Sequence, residues 1–217
     1  MKYKAVFFDL DGTLLNTLPD LHAACNHALI KNGYSPVTIK KVEDSIGDGI
    51  RKLNERLLPS GSSDELIDKL MHDFSSYYID NVDVYTKPYE GIIEVLKVLK
   101  EKDKIIVIVS NKFNDGVQKL NKKFFNNLVD LALGPHNELK TKPDLSMIEY
   151  ALNYYDLKKE EVLYIGDSNV DVVTAKLAGF DMLTVTYGYK SKEELEKLGF
   201  KLVFIDKPME ILNYIGE

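Results

Sequence analysis

Short, largely apolar runs at residues 3–8, 105–109, 129–133, 162–165 and 182–185 are each closed by polar residues or glycine. Runs of this length without polar alternation fit strands covered on both faces. Between them the period changes. In 91–101, Ile92, Val95, Leu96 and Leu99 recur at helical spacing with charges between them. The stretches 114–124, 145–155 and 169–178 read the same way. Strands alternating with helices predict an α/β fold with a Rossmann-like, doubly wound parallel sheet.

One stretch breaks the alternation. Residues 16–83 carry helix-like patterns at 18–32, 49–58 and 64–79, punctuated by Gly33, Pro36, Pro59 and Gly61, and no strand pattern. This predicts an all-helical cap domain, 16–83, inserted into a catalytic core built from 1–15 and 84–217. The chain shows no internal repeat and no low-complexity segment.

In open parallel sheets, ligands bind beyond the carboxyl ends of the strands. The first run ends in Asp9 and Asp11, the second in Ser110, Asn111 and Lys112, and the fourth in Gly166, Asp167 and Ser168, with Asp171 following. Lys142 precedes the helix that leads back to that fourth run. Asp9 and Asp11 are two apart, so in extended backbone both side chains point to one side. Like charges that close raise one pKa unless a cation neutralises them. A hard divalent ion such as Mg²⁺, which takes carboxylates and phosphate oxygens, does this, and Asp167 supplies a further carboxylate. Gly12 allows a tight backbone approach after the strand. The expected division of labour has one carboxylate attacking phosphorus and the other moving protons, while the metal and Lys142 hold the developing charge.

Composition narrows the partners. The 217 residues suit a core plus a smaller insert. Asp and Glu number 34 against 28 Lys and Arg, a net charge of −6, which argues against nucleic acid but not against a small phosphorylated metabolite. Cys25 is the only cysteine, so no intrachain disulfide forms and a reducing compartment is expected. No stretch matches a signal peptide or a membrane span. We expect a cytoplasmic protein, monomeric or homodimeric, with no membrane partner.

The ordered set Asp9-Leu10-Asp11-Gly12-Thr13, Ser110, Lys142-Pro143 and Gly166-Asp167 with Asp171 resembles the four motifs of the haloacid dehalogenase superfamily. The resemblance implies that Asp9 forms an aspartyl-phosphate, and that Asp11 protonates the leaving group and later activates water. It implies that Asp9, the Asp11 carbonyl and Asp167 hold Mg²⁺, with Asp171 supporting the metal shell or Lys142. Ser110 and Lys142 would bind the phosphoryl group. Thr13, where related sugar phosphomutases carry Val, favours a phosphatase. The match narrows to phosphoglycolate phosphatase-like members on Ile46-Gly47-Asp48-Gly49, Ser110-Asn111-Lys112 and residues 86–91. Asn16 and Leu145 depart from the pattern, which often has an acidic residue and a second proline there.

We therefore expect Thr13, Asn111, Gly47, Gly49 and Arg51 to contact substrate. The Arg51 fork suits a carboxylate or second phosphate, and an exposed helix arginine is the plain alternative. Lys142 is preferred to Lys140 and Lys112 because of its Lys-Pro pair. His22, His27, His72 and His136 read as packing or surface residues. The expected activity is Mg²⁺-dependent hydrolysis of a small phosphomonoester, 2-phosphoglycolate first, with sugar phosphates, nucleotides or pyrophosphate next. A phosphomutase is disfavoured by Thr13 and by the lack of an extra acid/base in the cap. The helical insert and Gly12-Thr13 disfavour a receiver-type signalling module.

Overall fold

A computed structural model describes residues 3–216. The chain opens with β1 (Ala5–Phe8), whose four residues are all buried, and β2 (Leu15–Asn16). Four helices follow: α1 (Leu18–Lys31), α2 (Ile39–Glu43), α3 (Ile50–Leu57) and α4 (Asp64–Asn81). The short β3 (Lys87–Pro88) leads to α5 (Ile92–Glu101), β4 (Ile105–Val109), α6 (Asn114–Phe124), β5 (Leu131–Leu133) and α7 (Ser146–Tyr154). The alternation continues through β6 (Val162–Gly166), α8 (Asn169–Ala178), β7 (Asp181–Val185), α9 (Lys192–Glu196), β8 (Val203–Ile205) and α10 (Leu212–Ile215).

The six long strands form one sheet in the order β5-β4-β1-β6-β7-β8, and every neighbouring pair is parallel. Side-chain alternation sorts each strand between two apolar layers. Val6, Phe8, Ile106 and Ile108 join α5 and α6 on one face, whereas Ala5, Phe7, Val107 and Val109 join α7 and α8 on the other. Strands that must satisfy two cores have no polar face, which is why they read as unbroken apolar runs. Chain order reverses around β1, so the carboxyl ends of β1, β4 and β6 meet at the switch point where such sheets bind ligands.

The insert is all-helical, as the pattern predicts, and it lies over the mouth of that switch point. Leu21, Ala24 and Ala28 of α1 and Leu70, Phe74 and Tyr78 of α4 are buried and belong to the same apolar cluster as one face of the core. Each large side chain so buried contributes about 1.5–3 kcal/mol. Lys31 and Asn32 both donate to the Asp73 carboxylate, at 2.7 and 2.8 Å, and tie the end of α1 to α4. The chain enters and leaves the insert through one antiparallel contact, Leu15 with Pro88 and Asn16 with Lys87. Beside it, the buried Asp20 accepts backbone N–H bonds from Tyr85 and Thr86 at 2.8–3.0 Å, clasping the two crossings together.

The sheet has one strand more than the pattern predicts. β8 is a three-residue edge strand whose first residue, Val203, is exposed, although the sequence carries an apolar run there, at 202–205, closed by Asp206. The run predicted at 129–133 pairs only from Leu131 onward, because 128–129 turn off the end of α6 and the Asp130 carboxylate accepts from the Ile106 N–H. The short α2, α9 and α10 also escape the periodicity, each spanning five residues or fewer.

Candidate active site

Asp9 follows β1 directly, and its N–H still bonds to the Ile165 carbonyl of β6. The backbone then turns sharply: Gly12 sits at φ +88°, a left-handed conformation, and donates to the Leu15 carbonyl. A Cβ at Gly12 or at Gly188 would collide with the Asp167 side chain, so both glycines form a close-fitting cradle around that carboxylate.

Asp167 lies at the end of β6 and is 1% exposed. Its Oδ1 accepts from the Thr13 hydroxyl at 3.2 Å and its Oδ2 from the Tyr189 N–H at 2.8 Å. Burial, with the nearby Asp171 charge, pushes the Asp167 carboxyl up to about 7 against those two bonds. Burial also raises Asp9 well above the usual carboxylate range, with the Asp171 charge adding to it and Lys142 opposing it.

Lys142 answers these charges. Its ammonium lies 2.6 Å from Asp9 Oδ1 and 2.8 Å from Asp171 Oδ1, and it donates to the Tyr164 hydroxyl at 3.2 Å. Burial alone would lower the lysine, but the charges on Asp171 and Asp9 outweigh it and hold it protonated. Asp171 is wholly buried and placed by a helix cap. Ser168 accepts from the Asp171 N–H, while Asp171 Oδ2 accepts from the Ser168 N–H and hydroxyl. Tyr164, from within β6, donates to Oδ1 at 2.9 Å. The Lys142–Pro143 peptide is cis.

Asp11 is set apart from this group. Its Oδ1 accepts from the Thr17 hydroxyl at 2.6 Å and lies 3.0 Å from Lys112 Nζ. Thr17 precedes α1 yet spends its hydroxyl on Asp11 instead of capping the helix. Tyr189 braces Thr17 from the core side, 2.8 Å from its N–H and 3.1 Å from its hydroxyl oxygen. Ser110 ends β4 and is buried, with its hydroxyl accepting from the Lys112 N–H.

A cleft opens between the sheet edge and the insert. Asp9, Asp11, Ser110, Asn111, Lys142 and Asp167 border it from the core, and Gly47 and Gly49 from the insert. Its remaining walls are largely apolar, with Leu21, Leu53, Phe74 and Phe113 among them.

Three expected substrate contacts are engaged elsewhere. Thr13 is fully buried and gives its hydroxyl to Asp167, and it does not border the cleft. Asn111 borders the cleft, but its amide is committed to backbone. It accepts from the Lys142 N–H at 2.6 Å and donates to the Gly47 and Lys142 carbonyls. Arg51 is not brought to the site. Its guanidinium pairs with Asp64 and Asp68 on the outer side of the insert, so the fork expected for a substrate anion is already filled.

Several site residues escape the sequence reading. Tyr164 hides inside an apolar strand, and Tyr78 and Tyr189 lie in no motif that points to the site. Ser168-x-x-Asp171 did carry a signal, the capping-box spacing that fixes both side chains locally. Asp9, Asp167 and Asp171 form a buried set whose carboxylate oxygens lie within 4.8 Å of one another. An all-oxygen donor set, with the Asp9 and Asp167 carboxyls raised, fits a hard divalent cation such as Mg²⁺. Among the described residues, no helix is long and apolar enough to cross a membrane.

An aspartate pair at the switch point of a parallel sheet, faced by a buried lysine and a further acidic pair under a helical insert, is the architecture of a haloacid dehalogenase-type hydrolase. Residues 6–185 match the family model described as haloacid dehalogenase-like hydrolase, and the chain belongs to that family. A phosphoglycolate phosphatase of Neisseria gonorrhoeae is 35% identical over 191 residues, covering 86% of this chain and 81% of that protein. An N-acetylmuramic acid 6-phosphate phosphatase of Pseudomonas aeruginosa is 27% identical over 99% of this chain and 96% of its own length. Among solved structures, a haloacid dehalogenase-like hydrolase from Streptococcus pneumoniae superposes with a TM-score of 0.87 at 23% identity, covering 99% of both chains, which speaks for the fold.

Proposed function

We propose that this family member is a Mg²⁺-dependent phosphatase that hydrolyses a small phosphomonoester through an aspartyl-phosphate on Asp9. The observation that carries the reading is the Asp9–Lys142 pair at 2.6 Å, at the carboxyl end of β1 and at the floor of the cleft. In this reading an Asp9 oxygen attacks phosphorus and the ester P–O bond breaks. Asp11 gives its proton to the departing oxygen, then takes one from the water that hydrolyses the acyl phosphate. Lys142 and Ser110 hold the phosphoryl oxygens, and charge already in place there costs no reorganisation as the reaction proceeds.

Asp9 and Asp167, with the Asp11 backbone carbonyl, would hold Mg²⁺, whose charge when bound offsets the carboxylates and the phosphoryl oxygens. Asp171 has both oxygens taken by Lys142, Tyr164 and Ser168, which favours its role as the anchor of Lys142 over direct metal ligation. We take residues 16–83 as a cap domain that opens for substrate and closes to exclude water, with Gly47 and Gly49 forming the lip. A cytoplasmic monomer or homodimer stays part of the proposal.

The named relatives support 2-phosphoglycolate as the first substrate to try and N-acetylmuramic acid 6-phosphate as the second. The test is phosphate release from a panel of metabolite phosphomonoesters with Mg²⁺, ranked by kcat/KM. Asp9→Asn should abolish turnover with the fold intact, and EDTA should silence the enzyme until Mg²⁺ is returned. Turnover by Asp9→Asn would remove the nucleophile, and indifference to chelation would remove the metal.

A further inference from the structure

Lys112 is among the most enclosed charges in the molecule, its side chain 2% exposed. The ammonium donates to the Tyr78 hydroxyl of α4 at 2.8 Å, lies 4.6 Å from the centre of that ring, and sits 3.0 Å from Asp11 Oδ1. An ammonium has three N–H donors. Among the described residues only Tyr78 and Asp11 engage this one, while the side chain borders the cleft. Leu53, Phe74 and Phe113 are among the cleft's other walls.

The other cations are less suited to recognise a second charge on a substrate. Lys142 is shared between Asp9 and Asp171, and Arg51 is paired outside the cleft. Lys190 borders the cleft but is only half-buried, and a more solvated charge discriminates less.

Asp11 gives Lys112 a second part. Its Oδ1 holds both Thr17 and Lys112, so Lys112 helps to orient the carboxylate while Oδ2 can turn to a leaving-group oxygen. We propose that Lys112 is the specificity-determining residue of the cleft. It binds an anionic group on the substrate's leaving portion with the N–H that Tyr78 and Asp11 leave over.

This rests on the phosphatase reading and narrows it to a class of ester. Lys112 lies within 3.0 Å of the carboxylate assigned to the leaving oxygen, so an anion bound there must be joined to that oxygen by a short spacer. A short-chain phosphorylated acid fits. A neutral ester of the same length offers that N–H no charge and reacts more slowly.

The test compares kcat/KM for 2-phosphoglycolate with that for 2-hydroxyethyl phosphate, which keeps the phosphate and carbon count but lacks the carboxylate. Wild-type enzyme with Mg²⁺ should favour the acid by about 10- to 100-fold, the value of one charge-assisted hydrogen bond. In Lys112→Met that ratio should collapse toward unity, with both kcat and KM for the acid affected. Lys112→Gln, which keeps a donor without the charge, should do the same and serves if the Met variant does not fold.

Equal kcat/KM on the two esters in wild type, or an unchanged ratio in either variant, would overturn the assignment and leave the phosphatase reading standing. Wild-type enzyme that releases phosphate from neither ester, nor from p-nitrophenyl phosphate, would instead overturn the phosphatase reading itself.

Discussion

The Lys142 ammonium lies 2.8 Å from Oδ1 of Asp171, a carboxylate with no solvent exposure, and the same ammonium reaches Asp9 at 2.6 Å. The buried acid thus fixes the cation that faces the candidate nucleophile. Asp171→Asn keeps the shape of the side chain and removes the charge that holds Lys142. Because displacements near 1 Å at a reacting centre cost about 100-fold, kcat should fall by about that factor. The melting temperature should fall too, since a buried pair has been unbalanced. Steady-state kinetics and a thermal melt measure both, and wild-type kcat in this variant would show that Lys142 needs no such anchor.

Asp20 holds the two crossings into the insert by accepting from the Tyr85 and Thr86 N–H groups. Asp20→Ala leaves those donors without their carboxylate, at a cost of about 1–3 kcal/mol. Denaturant unfolding should register the loss, and amide exchange at Tyr85 and Thr86 should quicken. Unchanged exchange would mean that the Asp20 clasp does not restrain the two crossings.

Arg51 pairs with Asp64 and Asp68 on an exposed face of the insert. Arg51→Ala should therefore change kcat/KM by less than about twofold, as for other surface ion pairs, whether or not the ester carries a second anion. A selective loss on dianionic esters would return Arg51 to the substrate site.

Asp73 is held below the ordinary carboxylate range, by the Lys31 bond first and the Asn32 bond next. A folded pKa below the unfolded value of about 3.9 contributes stability above that value. The contribution is lost as pH falls through the folded pKa. Asp73→Asn should therefore lower the urea midpoint near about pH 7 and differ much less from wild type near about pH 3. Because the Lys31 side chain is 57% exposed, added salt should shrink the difference at neutral pH. A gap that stays constant with pH would assign the effect to packing.

The core was legible because its strands serve two apolar layers at once. Ala5-Val6-Phe7-Phe8 carries no polar face to confuse the period, and α5 repeats Ile92, Val95, Leu96 and Leu99 on one side. β8 carries the same kind of signal, an apolar run at 202–205 closed by Asp206, although as an edge strand it buries less, with Val203 exposed. Asp9, Asp11, Ser110 and Asp167 could be named in advance because strand ends in a parallel sheet converge on one edge, whatever their separation in the chain.

The sequence by itself determined the alternation of the main core strands and helices, the helical character of the stretch after β1 and the acidic residues at the strand ends, all of which follow from local period and from where apolar runs stop. Only the tertiary structure decided which charges meet. Thr13 goes to Asp167, Arg51 is drawn off by Asp64 and Asp68, and Lys112 is buried between Tyr78 and Asp11. The physical reason is that a side chain's partner depends on the packing of elements far apart in the chain. Lys112 and Tyr78 are 34 residues apart and meet only because α4 folds back over the end of β4.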